Sequence, residues 1–522
     1  MSRTSDVVII GSGIGGTVLA RTLRRQGRSV LLVERDKHPR FALGESSTPL
    51  AGLSLDRLSR KYRLPNLAQL STYGRWLRHH PGLLRGLKRG FTFYDHRRGD
   101  PRTVDRASLQ VAASPNESVA DSHWLRSAID HYQVRQARAE GVDYLDLCQV
   151  TALSIGDDGA DLTLETETSG EISVRARVVV DGSGGSAVVA KLLDLPEATP
   201  LETRSSLIYG HFHDVAPLTP EGLDRSAKPY PAQWAAVHHL LAEGWMYELR
   251  FDSGLVSAGI LLREPPEGDP ETVWASVIER YPALAEAYAD ARPEVPLQAV
   301  PDIQHRLSAS HGPRWVALPH TYGFVDPLFS TGLAWTLRGV ERLSELLGDS
   351  DNDEAVADGS AFRRYGVLLR REVNQLDNLI AGAYEALDRG FEYFAAYSMT
   401  YFAAVTWAET RERLITPQAV AWEGFLGADD SILGRLVDNA RAQLPEASKA
   451  PEPDESDAYW QWIGRHTAGR DLAGLDTWGP TLTVPVDSDA LVERGPLLGL
   501  DEEAIRTLLP RLRGEVDTSP ES

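Results

Sequence analysis

The sequence predicts an α/β fold: a Rossmann-type dinucleotide-binding core, a β-sheet that would carry the substrate, and a helical C-terminal region. Three observations carry this prediction. An apolar run, Val7 to Ile10, enters Gly11-Ser12-Gly13-Ile14-Gly15-Gly16 and passes directly into a helical pattern. A second apolar run, Val30 to Val33, ends on Glu34, eighteen residues after Gly16. From Thr331 onward the apolar residues recur at helical spacing, after a middle third in which apolar and polar residues alternate.

The glycines of the first turn have separate expected tasks. Gly11 makes the tight turn, Gly13 lets backbone approach a pyrophosphate, and Gly16 lets the helix pack closely on the strand. Glu34, at the end of the second strand, stands where a carboxylate receives the hydroxyls of an adenosine ribose, with Arg35 beside it. The segment His38 to Pro49 is polar and rich in turn formers, and it reads as a cofactor loop carrying Glu45 and Ser46. An arginine-rich helical excursion is expected over residues 53–89. Ala176 to Gly185 reads as another apolar strand, ending on Asp181 and Gly182; its glycines lack the spacing of a second nucleotide motif. These pieces define a dinucleotide-binding core over residues 1–190.

Residues 190–310 are expected to form the substrate sheet, with Trp245 to Leu249 and Leu255 to Leu262 as paired strands. Residues 311–345 return to the core. Residues 346–522 are mainly helical, with Phe362 to Leu387, Phe391 to Leu414 and Asp430 to Leu444 following the helix Gly332 to Leu347. Tyr393, Tyr397 and Tyr401 recur every four residues and describe an aromatic helix face, read as a core helix with a substrate-lining wall as the alternative. Pro445 to Asp457 reads as a solvent loop, Trp460, Trp462 and Trp478 suggest a tail that docks back, and Glu515 to Ser522 reads as disordered.

The loop Gly44-Glu45-Ser46-Ser47-Thr48-Pro49 and the turn Phe324-Val325-Asp326-Pro327-Leu328-Phe329-Ser330-Thr331-Gly332, which contains F-x-x-P-x-x-S-x-G, resemble the flavin-dependent halogenase family. The matches cover about the first 345 residues discontinuously. The resemblance implies FAD as the dinucleotide, and a final flavin loop that includes Asp326, Pro327, Thr331 and Gly332. In the family the amides equivalent to Thr331 and Gly332 form the halide site; successive N–H groups in one concavity make an anion nest. Lys88-Arg89-Gly90-Phe91-Thr92-Phe93 is similar to the K-x-G-x-x-F segment that carries the family's active-site lysine, which marks Lys88 as the candidate catalytic residue. The alternative for Lys88 is membership of a solvated basic patch with Arg85, Arg89, Arg97 and Arg98.

The chain departs from the family pattern in four places, the first being about fifteen extra residues between the Gly-Glu-Ser loop and Lys88. The W-x-W-x-I-P signature survives only as Trp245-Met246-Tyr247-Glu248-Leu249-Arg250. Pro319-His320 stands where Gly-Asp is usual, so His320 either replaces a carboxylate contact near the flavin or is a turn residue. Phe329 stands where tryptophan halogenases carry glutamate, which argues against free tryptophan as substrate.

Composition sets the outer limits. A chain of 522 residues, 42% hydrophobic, can bury a large core. A net charge of −20 disfavours nucleic acid or an anionic membrane as partner. The single cysteine, Cys148, excludes an intramolecular disulfide and reads as a small buried hydrophobe. The longest uncharged run, sixteen residues from Tyr393 to Ala408, falls short of the ~20 needed to span a bilayer. No secretory pattern precedes Val7, and a cytoplasmic location is expected. Neither His79-His80 nor His238-His239 has metal-ligand spacing, and no metal is expected.

The function expected from the sequence is an FAD-dependent monooxygenase of halogenase type, an oxidoreductase that uses reduced FAD and O₂ to hydroxylate an electron-rich aromatic. That aromatic would be a small molecule or a protein-bound residue. Halogenation through hypohalous acid and Lys88 is the alternative; a non-catalytic flavin-binding maturation or assembly protein is a third reading from another class. With one nucleotide fingerprint visible, electrons are expected from a separate NAD(P)H-dependent flavin reductase.

Overall fold

The computed structural model describes residues 3–512 apart from 105, 168–169, 219–228, 350–351, 415–419, 447–452, 476–480 and 484–491. Arg3–Ile10 lies between two parallel neighbours, Gly170–Asp181 and Val30–Val33. Asp143–Leu145 and Trp315–Ala317 extend the parallel run on either side. Val7 to Ile9, Leu31 and Leu32, and Val178 to Val180 are fully buried. Such uninterrupted apolar runs are what a parallel sheet covered on both faces requires. Ile14–Arg25 and Arg126–Ala139 pack against each other beside this sheet.

Parallel register brings the strand ends together. Ile10 pairs with Val33 on one side and with Asp181 on the other. The first glycine turn, Glu34 and the Asp181 turn therefore open on one edge of the sheet, the edge at which open α/β sheets bind ligands.

Among the described residues the second sheet has nine strands. Gly244–Arg250 and Val256–Leu262 pair antiparallel within it. It is not confined to residues 190–310, because Ala236–Leu240 joins in parallel to Gly90–Asp95, which pairs in turn with Ser108–Ala112. Residues 53–89 also differ from a continuous helical excursion. Pro49–Tyr62, Pro65–Ala68 and Tyr73–His79 are helical. Pro81-Gly82 then breaks the pattern, and Arg85–Lys88 is a strand paired antiparallel with Asp121–Trp124.

The C-terminal region is helical at Gly332–Gly348, Arg363–Arg389, Phe391–Leu414 and Ser431–Ala442. Phe391–Leu414 is apolar nearly all round and correspondingly buried from Tyr393 to Trp407. Buried ion pairs pin these helices to the core: Arg57 to Glu341 at 2.6 Å and to Glu412 at 2.7 Å, and Arg342 to Glu372 at 2.7 Å. Losing one partner of such a pair strands a charge and costs about 3–5 kcal/mol.

The expected solvent loop Pro445 to Asp457 is shorter than the composition suggests. Its last residues begin the helix Pro453–Thr467, with proline at the first helical position and acids in the first turn, both favourable there. Trp460 is buried and Trp462 half-buried. Trp478 and Glu515 to Ser522 lie outside the described residues. Among the described residues no helix is long and apolar enough to cross a membrane, and no group of His, Cys, Asp and Glu could hold a metal ion.

Candidate functional site

The three glycines of the first turn have different surroundings. At Gly11 φ is +99°, and a Cβ would strike the Gly182 carbonyl. A Cβ at Gly16 would strike the Gly11 carbonyl oxygen. Gly11 is demanded by backbone conformation and packing, and Gly16 by packing. Gly13 is not: its Cβ would meet only the guanidinium tips of Arg126, at 3.3 Å, and Arg40, at 3.9 Å. A helix N-terminus at Ile14, a side-chain-free position and two facing guanidinium groups form a cradle suited to a pyrophosphate. The residues present therefore fit the dinucleotide.

Glu34 is buried at the mouth of this cradle. Its carboxylate accepts from the Ser12 amide (3.0 Å), the Ser12 hydroxyl (2.8 Å), the Asp36 amide (3.2 Å) and Arg40 (3.1 Å). Burial pushes the carboxyl upward, but Arg40 and these donors outweigh it and hold it below the ordinary carboxylate range. Glu34 is thus an ionised acceptor poised for hydroxyl donors. Arg35 points outward and donates to the Ser186 hydroxyl at 3.1 Å. Arg40→Met is expected to weaken FAD affinity about tenfold, the magnitude of one charge-assisted hydrogen bond, as read by flavin fluorescence titration.

Asp181 spends its carboxylate on its own turn, accepting from the Ser183 amide (3.0 Å), the Ser183 hydroxyl (2.5 Å) and the Val189 amide (2.7 Å). The Gly182 amide donates to the Ile10 carbonyl at 2.8 Å, locking that turn against the first strand.

The loop Gly44 to Pro49 is stitched to four other segments. Glu45 accepts from the Arg126 amide at 3.2 Å and lies 3.0 Å from His211 Nε2. Ser330 Oγ donates to Ser46 Oγ at 3.0 Å, joining this loop to the final turn. The Ser47 carbonyl accepts from Lys88 Nζ at 2.6 Å. Ser330 has φ +55°, and the backbone then enters the helix Gly332–Gly348 with Thr331 as its N-cap. The Thr331 and Gly332 amides therefore lie at the positive end of a 17-residue helix. A Cβ on Gly332 would press on the His320 ring at 2.9 Å, so His320 lies against this terminus. Burial, His305 and Arg126 hold His320 neutral, with a pKa of about 3.

Asp326 and Pro327 begin the final turn. Asp326 is buried, and its carboxyl accepts from Ser205 (3.1 Å), Tyr384 (3.0 Å) and the Leu328 amide (3.0 Å). Burial raises it to about 7. Tyr384 accepts in turn from Trp245 Nε1 at 2.8 Å, which ties the surviving tryptophan of the strand Gly244–Arg250 to the turn.

Lys88 is fully buried, which excludes a solvated basic patch at that position; Arg85 and Arg89 are buried too. Its ammonium lies 4.3 Å from the Phe91 ring centroid. Phe91 and Phe93 stack on each other, Phe402 and Phe394 meet them edge-on, and His238 lies between Phe93 and Trp245. Tyr401 stacks on Phe329 at 4.3 Å and donates to its carbonyl. The aromatic residues of the helix Phe391–Leu414 are therefore core and back the Phe91 and Phe93 rings, of which Phe91 lies beside Lys88. Asp121 and His123, on the strand paired with Arg85–Lys88, complete the surroundings.

Sequence reasoning missed Arg40, Arg126, Asp121, His123, His238 and Tyr384. Arg40, six residues after Glu34, had a local cue. The others come from distant segments and carry no spacing that would have marked them.

Residues 6–325 match the family described as FAD dependent oxidoreductase. The chain is 30% identical over 358 residues to the tetracycline 7-halogenase of Kitasatospora aureofaciens, covering 66% of this chain and 63% of that protein. It is 29% identical over 493 residues to the monodechloroaminopyrrolnitrin halogenase PrnC of Pseudomonas fluorescens, covering 88% and 84%. In fold it is similar to the crystal structure of halogenase PltM in complex with phloroglucinol and FAD, with a TM-score of 0.80 at 23% identity over 92% of this chain and 99% of that one. The chain belongs to the FAD-dependent oxidoreductases and, among them, to the flavin-dependent halogenase family.

Proposed function

We propose that this enzyme halogenates an electron-rich aromatic compound, with FAD held along the sheet edge and Lys88 presenting the electrophile. The observation that carries this reading is the Lys88 ammonium, buried, bonded to the Ser47 carbonyl of the cofactor loop and facing Phe91. The Gly13 cradle, Arg40 and Arg126 would hold the pyrophosphate, Glu34 the ribose, and the Ser46 and Ser330 segments the flavin ring. When bound and reduced, FAD supplies the activation of O₂ that oxidises a halide. The Thr331 and Gly332 amides, at a helix N-terminus, suit the halide itself. Lys88 then donates a hydrogen bond to hypohalous acid, or bonds the halogen at its nitrogen, and so retains the oxidant among aromatic walls that exclude water. The names of the sequence relatives support halogenation over hydroxylation.

Hydroxylation remains a second reading, favoured by one feature: Tyr247, Leu249 and Arg250 stand where the family's W-x-W-x-I-P signature, which screens the flavin from the substrate, has tryptophan, isoleucine and proline, so a substrate would come nearer the flavin. The deciding experiment supplies FAD, O₂ and NADH with a flavin reductase to the protein and a panel of phenols, pyrroles and indoles, with chloride, bromide or neither. Halide-dependent product mass is expected, falling to background when the reductase is omitted. Halide-independent incorporation of oxygen from ¹⁸O₂ would overturn halogenation in favour of hydroxylation. The panel also tests whether the substrate is small; inactivity on all free aromatics with activity on a protein-tethered one would make it protein-bound.

A further inference from the structure

Lys88 and Asp121 stand directly opposite each other in the antiparallel ribbon of Arg85–Lys88 and Asp121–Trp124. Directly opposed side chains share one face, with Cβ atoms about 4.5–5.5 Å apart. Lys88 is fully buried and Asp121 is 7% exposed. The ammonium has three donors, and the hydrogen bond it makes among the described residues uses one of them, on a neutral carbonyl. The charged and titratable groups facing Lys88 are Asp121, His123 and His238; those facing Asp121 are Lys88, Glu409, Arg413 and the Tyr401 phenol. Burial holds His123 and His238 neutral, at about 3. Glu409 is paired with Arg413 at 2.8 Å. Asp121 is therefore the acid left to balance Lys88.

We propose that Asp121 is the proton partner of Lys88, taking a proton from the ammonium when a free amine is needed and returning it afterwards, inside a pocket closed to water. This rests on the halogenation reading of the same site. No ion pair joins the two side chains among the described residues, so the ammonium, on its flexible stem, first closes on the Asp121 carboxylate and then gives it one proton, leaving amine and carboxylic acid. The amine nitrogen attacks the halogen of hypohalous acid: an N–X bond forms, the O–X bond breaks, and the displaced hydroxide leaves as water with a proton from nitrogen. Transfer to the aromatic carbon forms C–X and breaks N–X, and the proton lost from the ring returns to nitrogen. Asp121 then restores the ammonium, with no net charge brought into or out of the pocket. Burial favours the exchange from both ends, lowering the proton affinity of Lys88 and raising that of Asp121. Asp121 acts through Lys88 and is a positioning residue.

Two measurements test this separately from the halogenation reading. In the flavin-free protein, Lys88→Met, Asp121→Asn and the double variant are compared by thermal unfolding. The double variant is expected to lose less melting temperature than the two single losses combined, because each single change strands a buried partner. Additive losses would overturn the pairing whether or not the protein halogenates. In the reconstituted reaction the amine of Asp121→Asn is already free, so aryl halide formation above neutral pH is expected to stay within a few-fold of wild type while the acid side of the pH profile changes. Removing the carboxylate removes what holds Lys88 protonated, so the limb of the pH profile governed by Lys88 should move to lower pH by about one unit or more. Asp121→Glu is expected to restore most of the wild-type profile. A profile for Asp121→Asn that superimposes on the wild type would overturn the proton role even if the unfolding losses are not additive.

Discussion

Replacing Gly13 with valine is expected to abolish FAD binding, raising Kd at least about 100-fold, while leaving the protein folded. The expectation follows from what surrounds that position. A Cβ there meets only flexible guanidinium ends, at 3.3 and 3.9 Å, so the apoprotein has room for a side chain. The space it would occupy is the space in front of the helix N-terminus where a pyrophosphate must approach backbone. Gly16→Val is the contrasting control. Its side chain would be driven into the Gly11 carbonyl, and unfolding or insolubility is expected. Circular dichroism and flavin absorbance after gel filtration distinguish the two. A folded Gly13→Val protein that keeps stoichiometric FAD would remove the first turn from the cofactor assignment. The same pair of variants should differ in ligand-induced stabilisation, with FAD raising the melting temperature of wild type but not of Gly13→Val.

Lys88→Ala is expected to leave FAD affinity near that of wild type and to reduce the aryl halide product by about 10²–10⁴-fold, the range of a positioned proton-transfer group. The oxidised halide would then escape, and a scavenger such as a reactive diketone should capture hypohalous acid in near-stoichiometric amount with the NADH consumed. The site accounts for this separation. Lys88 is tied to the cofactor loop by one hydrogen bond to Ser47, while the pyrophosphate cradle and Glu34 belong to other segments. If the enzyme hydroxylates instead, the same variant should lose only a few-fold in turnover, through local charge. Product formation at the wild-type rate would remove Lys88 from the catalytic assignment. Because a buried lysine also packs, Lys88→Met serves as a folded comparison that keeps the side chain's volume without the amine.

The elements legible in the sequence are those whose information is local. Val30–Val33 and Phe391–Leu414 have the bounds that their apolar runs and periodicity indicate, because a strand buried on both faces and a helix buried all round leave an uninterrupted apolar record. The roles of Gly11 and Gly16 follow equally from backbone geometry within a few residues. Arg85–Lys88 was not legible as a strand, since its partner, Asp121–Trp124, lies more than thirty residues away and the arginine-rich stretch 53–89 suggested a helix. The joining of Gly90–Asp95 to Ala236–Leu240 was hidden for the same reason.

The candidate site divides along the same line. Glycine spacing and Glu34 could be read from the chain alone, because close backbone approach to a dinucleotide demands particular residue types at fixed intervals, whereas the Gly44 to Pro49 loop and the final turn were marked by their resemblance to the halogenase family. Tertiary structure decided the surroundings of Lys88: whether it faced water or a closed pocket, and that Ser47, Asp121, His123, His238 and Phe91 share its space. Burial and charge balance are sums over every element that packs around a group. No spacing within one segment encodes that sum, so Lys88 could be a solvated charge in the sequence and becomes a desolvated amine opposite a single carboxyl only once the sheets and the C-terminal helices have closed around it.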